Sequence, residues 1–250
     1  MKLNMLHLTV TNKSHPGLDL LLASAKLHGI QSRVLRTTKS IGHGFGFGLK
    51  LELLQRELGL LPPDQKVVFT DAFDVLFQDS LQSLEEWISL HPKNVLVAAE
   101  KNKWPDTHVM YPVPLQFPFP YLNAGVLAGY ASQLLTLFRQ PYNEKTDDQA
   151  YYTQEFLTGS TIVLDHSATY IACLAGVQNP YVLKSPILHL NNGITRMKHY
   201  YSLASRIGVS KSLAFQVVAL EYAGYSKEVW RRIRPFLWIL VVYIVWIYFV

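Results

Sequence analysis

The stretch KVVFTDAFDVLF, residues 66–77, is an apolar run interrupted by two carboxylates, Asp71 and Asp74. Lys66-Val67-Val68-Phe69 is short, β-branched and aromatic, the composition of a buried parallel strand. In open α/β sheets ligands collect at the carboxyl ends of strands, and a hard divalent cation there would take oxygen ligands of this kind. Side chains alternate along a strand, so two residues three apart face opposite ways. Both acids reach one ion only if the chain turns after Thr70. A helix or turn cap at Asp71 and a solvated loop residue at Asp74 would account for the same letters.

Outward from this stretch, strands and helices alternate. Residues 6–11 predict a first strand, and 17–28 carry Leu, Ala and Lys at helical spacing ahead of Gly29, a natural helix stop. A strand over 31–36 follows, then the glycine-rich loop 41–48 and a helix over 49–58. That loop is neither a Walker loop nor a dinucleotide fingerprint. Beyond the two acids come a helix over 80–90 and a strand over 95–99 ending at Glu100. Pro112, Pro114, Pro118 and Pro120 make 111–121 an irregular aromatic connection, read as a loop over the site with Tyr111 and Phe119 as lid or packing residues. A strand over 121–130 with a turn at Asn123-Ala124-Gly125, helices over 132–138 and 147–157, and short strands at 162–164 and 170–172 lead to Ile187-Leu188-His189-Leu190-Asn191-Asn192-Gly193. The alternation predicts an α/β fold with a mostly parallel central sheet flanked by helices.

With 250 residues, 49% of them hydrophobic, the chain can build one sizeable core. Its single cysteine, Cys173, in the setting Tyr-Ile-Ala-Cys-Leu-Ala, excludes an internal disulfide and reads as a small buried hydrophobe. The formal net charge of +5 suits an anionic small molecule, an anionic membrane surface or nucleic acid. Nucleic acid is disfavoured, because the densest basic cluster, Arg231, Arg232 and Arg234, precedes an apolar tail and basic residues elsewhere are scattered. The tail, 235–250, holds no charged residue and is rich in Trp and Tyr. As a helix it would reach about 24 Å, against a hydrocarbon core of about 30 Å. It is therefore expected to attach the protein to a membrane, with the arginines keeping the body of the protein on the cytoplasmic side. The organisation predicted is a domain over 1–230 and a basic-flanked anchor helix over 231–250.

Several segments, in order, resemble the glycosyltransferase domain of the procollagen lysyl hydroxylases and related collagen-type glycosyltransferases of the GT-A fold. They are Thr9-Val10-Thr11, Gly48 with Lys50, Phe69-Thr70-Asp71-Ala72-Phe73-Asp74-Val75, Ala98-Ala99-Glu100 with Trp104-Pro105, Tyr121-Leu122-Asn123-Ala124-Gly125, Asp147-Asp148-Gln149 with Tyr152-Thr153, and His189 with Asn191. The resemblance implies a single GT-A-like domain that uses a nucleotide sugar and manganese, with Asp71, Asp74 and His189 holding the ion. On its own residues His189, in an Ile-Leu-His-Leu setting, would pass for a satisfied core histidine. The departing UDP carries negative charge on its diphosphate, which a divalent cation and Lys50 would stabilise. Asn191 and the backbone near Gly193 would meet phosphate oxygens. The family has glycine directly after the matching asparagine, whereas this chain has Asn192 and then Gly193.

Asp147 and Asp148 are placed by the resemblance near the donor sugar or the acceptor hydroxyl, as catalytic acids. Helix N-terminal charge is the plainer account of such a pair. Asn123 is read as a sugar-hydroxyl partner and Trp104 as a stacking platform, against a conformational turn residue and a core tryptophan; Thr11 joins the donor-binding set. The expectation is a hexosyltransferase moving glucose or galactose from UDP-glucose or UDP-galactose to a hydroxyl of a collagen-like protein or a glycan. A nucleotide-sugar-binding protein of the same fold without turnover is the alternative.

Overall fold

The computed structural model describes residues 5–39, 47–112, 116–159 and 161–227. Strand β1 (Leu6–Thr11), helix α1 (Pro16–Leu27) and strand β2 (Gln31–Arg36) form the opening unit, followed by α2 (Phe47–Leu58), β3 (Lys66–Thr70), β4 (Val75–Phe77), α3 (Gln82–Leu90) and β5 (Val95–Glu100). The second half holds β6 (Tyr121–Tyr130), α4 (Ala131–Leu135), α5 (Asp148–Leu157), β7 (Ile162–Leu164), β8 (Ile171–Cys173), β9 (Ile187–His189) and α6 (Gly193–Ile207). A further helical stretch, α7, covers 211–227.

Six strands make the central sheet in the order β2-β1-β3-β6-β5-β7, and β4-β9-β8 form a second, smaller sheet. In the central sheet β1 is parallel to β2 and β3, and β5 to β7, but β6 is antiparallel to both β3 and β5. The sheet is therefore mixed. Among the described residues the connection from β5 to β6 contains no crossover helix; the chain re-enters at the end of the sheet where it left, and the pairing is antiparallel. Nor does β6 turn at Asn123-Ala124-Gly125: the strand runs through these residues, with a register shift opposite Val97 and Ala99.

Alternation along the strands divides the core between the two faces of the sheet. Val67, Phe69, Val97 and Leu127 pack against Leu51, Leu54 and Leu58 of α2, Tyr151 and Tyr152 of α5, Tyr200 and Leu203 of α6, and Ala214 and Val217 of α7. Val68, Leu96, Ala98 and Ala128 pack against Leu18, Leu21 and Ala25 of α1 and Leu84 and Ile88 of α3.

The expectation of a C-terminal apolar helix anchoring the protein to a membrane, with a cytoplasmic catalytic body, is corrected. Among the described residues no helix is long and apolar enough to cross a membrane. The tail itself, 231–250, lies outside the described residues, as does most of the glycine-rich loop 41–48.

Candidate active site

The two acids that interrupt residues 66–77 sit where β3 ends. Thr70 pairs with Val126 of β6 and the Asp71 amide donates to the Gly125 carbonyl at 2.8 Å, after which the chain bends through 72–74 into β4. That bend turns both carboxylates to one side. Strand β9 runs antiparallel to β4 with His189 opposite Val75, and the Leu190 amide donates to the Asp74 carbonyl at 2.7 Å. Backbone pairing thus brings His189 against two acids more than a hundred positions earlier. One ligand atom from each of Asp71, Asp74 and His189 lies within 4.8 Å of the others.

Room for the imidazole is made by Gly125. A Cβ built there would stand 2.1 Å from His189 Cε1. Among the described residues the glycines with positive φ are Gly29, Gly159, Gly176 and Gly208, so Gly125 is needed for close approach and not for an unusual dihedral. On its other side His189 Nδ1 meets Cys173 Sγ at 3.7 Å. Cys173 is fully buried, as its apolar setting predicts, and burial pushes its thiol well up.

Each of the two acids divides its oxygens in the same way. Asp71 turns Oδ2 towards His189 Nε2, 3.8 Å away, while Oδ1 accepts from Lys50 Nζ at 2.6 Å. Asp74 turns Oδ1 towards His189 Nε2, 3.6 Å away, while Oδ2 accepts from Arg196 Nη1 at 2.7 Å. Lys50 also pairs with Asp148 Oδ2 at 2.5 Å, and Arg196 Nε donates to Glu221 Oε1 at 2.5 Å.

This charge set moves the protonation equilibria of its members. Burial opposes the imidazolium of His189, but Asp74, Asp71 and Glu100 outweigh it and raise its pKa. Burial opposes the Asp74 anion too, yet His189, Arg196 and Lys50 bring its carboxyl down to about 2. Lys50 keeps its proton despite burial because of Asp148 and Asp71, while burial and the nearby Asp71 raise the Asp148 carboxyl against the pull of Lys50.

Glu100 closes the site from β5. It accepts from Asn123 Nδ2 at 2.8 Å, Gln149 Nε2 at 3.0 Å and Asn191 Nδ2 at 2.9 Å. Burial raises its pKa, and these three amide donors partly offset that. Asn191 is anchored at its other end as well, where its Oδ1 accepts from the Ala175 amide at 2.9 Å.

The adjacent acids of α5 separate. Asp147 is the N-cap, accepting from the Ala150 amide at 2.8 Å, whereas Asp148 is buried against Lys50. Thr11 is buried at the end of β1, its hydroxyl donating to the Lys13 carbonyl at 2.8 Å. Trp104 is 60% exposed and so is no core tryptophan. Gly193 opens α6 immediately after Asn192, the N-cap, whose Oδ1 accepts from the Thr195 amide at 2.7 Å. Asn192 has φ −164°, extended backbone that any residue adopts, so the extra asparagine is accommodated without strain. Of the lid candidates, Phe119 is buried in the core and Tyr111 packs on Tyr121 and Phe156. Arg196 and Glu221 did not emerge from the sequence reading at all, and Glu100 emerged as a strand end and as part of a matched segment, without a role.

Two oxygens and one imidazole nitrogen are a ligand set that suits a divalent cation of intermediate hardness. The residues present fit such an ion, with the second oxygen of each acid already taken by a cationic side chain.

Comparison with known proteins agrees with this architecture. A galactosyltransferase, LgtC, solved with donor and acceptor sugar analogues, superposes with a TM-score of 0.52 at 14% identity, covering 84% of this chain and 95% of that one. A glycosyltransferase involved in glycosylation of the major capsid of PBCV-1 gives 0.52 at 11% identity, over 86% and 98%. At such identities the likeness is one of fold, that of GT-A glycosyltransferases. Among sequence relatives, a Drosophila melanogaster procollagen-lysine,2-oxoglutarate 5-dioxygenase is 28% identical over 223 residues, 81% of this chain and 30% of that protein. A Caenorhabditis elegans multifunctional procollagen lysine hydroxylase and glycosyltransferase is 31% identical over 161 residues, 60% of this chain and 22% of that protein. The chain spans about 30% of the length of the curated relatives it matches. The family model of the PLOD GT domain matches residues 1–204, which takes in Asp71, Asp74, His189 and the elements that hold them, and the chain belongs to that family.

Proposed function

We propose that this glycosyltransferase domain transfers a hexose, glucose or galactose, from a UDP-sugar to a hydroxyl acceptor such as hydroxylysine of a collagen-like protein or a glycan. Manganese is the proposed ion. The observation that carries the reading is the convergence of Asp71, Asp74 and His189 on one point at the carboxyl end of β3. An ion held there supplies a positive charge for the diphosphate of the leaving UDP. Lys50, buried and protonated beside Asp71, supplies a second. Asp148 fixes the Lys50 ammonium and is the acid of the pair with access to the charged cluster, so it is the better placed for a role at the donor sugar. Asp147 contributes through the helix it caps. Asn123 and Asn191, tied together through Glu100, and the start of α6 at Gly193 are the proposed donor contacts; Trp104 offers an exposed ring for stacking and Thr11 the end of β1. The transferase unit is taken as 1–230, because Ala214 and Val217 still belong to the main core.

The test is UDP release from a panel of UDP-sugars, with manganese or with chelator, and with or without a hydroxylysine-containing peptide. Manganese-dependent release is expected, stimulated by the acceptor. UDP binding without release under any condition would favour a binding protein of the same fold.

A further inference from the structure

The site contains two chains of alternating charge. Asp148–Lys50–Asp71 lies on one side of His189 and Glu221–Arg196–Asp74 on the other. In both, a cation takes one oxygen of a candidate metal ligand and leaves the other oxygen facing the imidazole. The second chain is made by α6 and α7.

Its construction is deliberate in physical terms. Arg196 sits in the first turn of α6, where a cation opposes the helix dipole, so its own helix does not favour it there. What holds it is external: Nη1 reaches Asp74 Oδ2 at 2.7 Å and the Leu190 carbonyl at 3.4 Å, and Nε reaches Glu221 at 2.5 Å. The planar guanidinium serves these partners from fixed directions, which an ammonium cannot. Glu221 lies one helical turn beyond Val217, on the stripe that also carries Ala214 and faces the core. Core packing of α7 therefore sets the position of the Glu221 carboxylate. Residue 221 also lies beyond the matched span, which ends at 204.

We propose that Arg196 is a positioning residue that holds Asp74 with a single oxygen free for the ion, and that Glu221, delivered by α7, holds Arg196 in turn. The inference rests on the metal reading of Asp71, Asp74 and His189. It makes α7 part of the metal site.

A positioning role and a simple field effect predict different signs. As point charges, Arg196 repels a cation and Glu221 attracts one, so Arg196→Gln would tighten the ion and Glu221→Gln would loosen it. As a positioning pair, both substitutions weaken binding, by about 10- to 100-fold for Arg196→Gln and less for Glu221→Gln. Arg196→Lys keeps the charge but loses the fork, and weakens binding as well. The experiment is titration of the full chain with manganese alone by calorimetry, with circular dichroism melting as a fold check and Asp71→Ala as the non-binding control. Parallel losses in Arg196→Gln, Arg196→Lys and Glu221→Gln support the proposal. Opposite signs for Arg196→Gln and Glu221→Gln, or unchanged affinity in Glu221→Gln, overturn it while leaving the metal reading intact. If Arg196→Gln fails to fold, Arg196→Lys decides: a field effect leaves affinity unchanged because the charge is kept, whereas the positioning role weakens it. A wild-type chain that binds no manganese overturns the metal reading and this inference with it.

Discussion

Thr70 and Asp71 are neighbours in the chain, yet each meets a buried histidine in the opposite state. His7, opposite Val68 on β1, shares Nε2 with Thr70 Oγ1 at 2.9 Å and Nδ1 with Ser32 Oγ at 2.8 Å, and packs edge-on to Phe77. Burial among hydroxyls lowers its pKa to about 3. His189 is just as buried, but its Nε2 faces Asp71 and Asp74 and its pKa is raised. Depth does not decide the charge of a histidine; the chemistry of its partners does. A hydroxyl both donates and accepts, so it satisfies a neutral ring, whereas ionised carboxylates only accept and demand a proton or a metal ion. One residue past the end of β3, the chain passes from a neutral polar core to a charged site.

The largest expected effect separates these two regions by function. Asp71→Asn, Asp74→Asn and His189→Gln should each reduce manganese-dependent UDP release by about 100-fold or more, in the range seen when a transition-state charge stabiliser is lost. His7→Gln should leave the specific rate of the folded protein nearly unchanged. Steady-state kinetics at matched folded fraction checks this, and equal losses at His7 and His189 would dissolve the contrast.

Next in size is the pH dependence, with opposite signs at the two rings. His7 is lowered in the fold, so between the ordinary value of 6.5 and about 3 the unfolded chain binds a proton that the native state refuses. Its contribution to stability is complete above 6.5 and is lost on acidification at about 1.4 kcal/mol per pH unit. His189 is raised, so in the metal-free protein its proton stabilises fully below 6.5, and that contribution is lost as pH climbs through the raised pKa. Manganese competes with this proton, so affinity for the ion should strengthen with rising pH. Urea unfolding across pH, with chelator and with manganese, reads both slopes; His7→Gln should flatten the acid limb alone.

A smaller effect tests the space around His189. Gly125→Ala places a methyl 2.1 Å from Cε1, so either the ring or β6 must shift. We expect a loss of about 1–3 kcal/mol in unfolding free energy, together with weakened manganese binding. A full loss of affinity at unchanged stability would mean that the ring moves and the strand does not.

The site was legible where chemistry and local pattern coincide. The strand 66–70, its two acids and the need for a turn after Thr70 are written in one short segment, and β2 spans the residues expected of it. The direction of β6, its passage through Asn123-Ala124-Gly125 and the separation of Asp147 from Asp148 are not, because they are set by which strands and helices meet at long range. Helix α6 had a local signal that was passed over: Asn192 as cap, Gly208 with φ 92° at the other end, and Tyr200, Leu203 and Ala204 buried at helical spacing between them. With α6 unread, Arg196 had no address, and neither did Glu221.

The smallest effect bears on Asn192, the position at which this chain departs from the family pattern. Its side chain caps α6 through the Thr195 amide, and its backbone is extended. Removing the cap with Asn192→Ala should cost about 1 kcal/mol, whereas Asn192→Gly, which restores glycine directly after Asn191, should cost only a few tenths. Because α6 carries Arg196 three residues after its first residue, fraying of its first turn would reach Asp74 before it reached the core. Manganese affinity in Asn192→Ala should therefore fall further than the melting temperature suggests, while Asn192→Gly should keep both. Equal behaviour of the two variants would show that the asparagine side chain serves something other than the helix end.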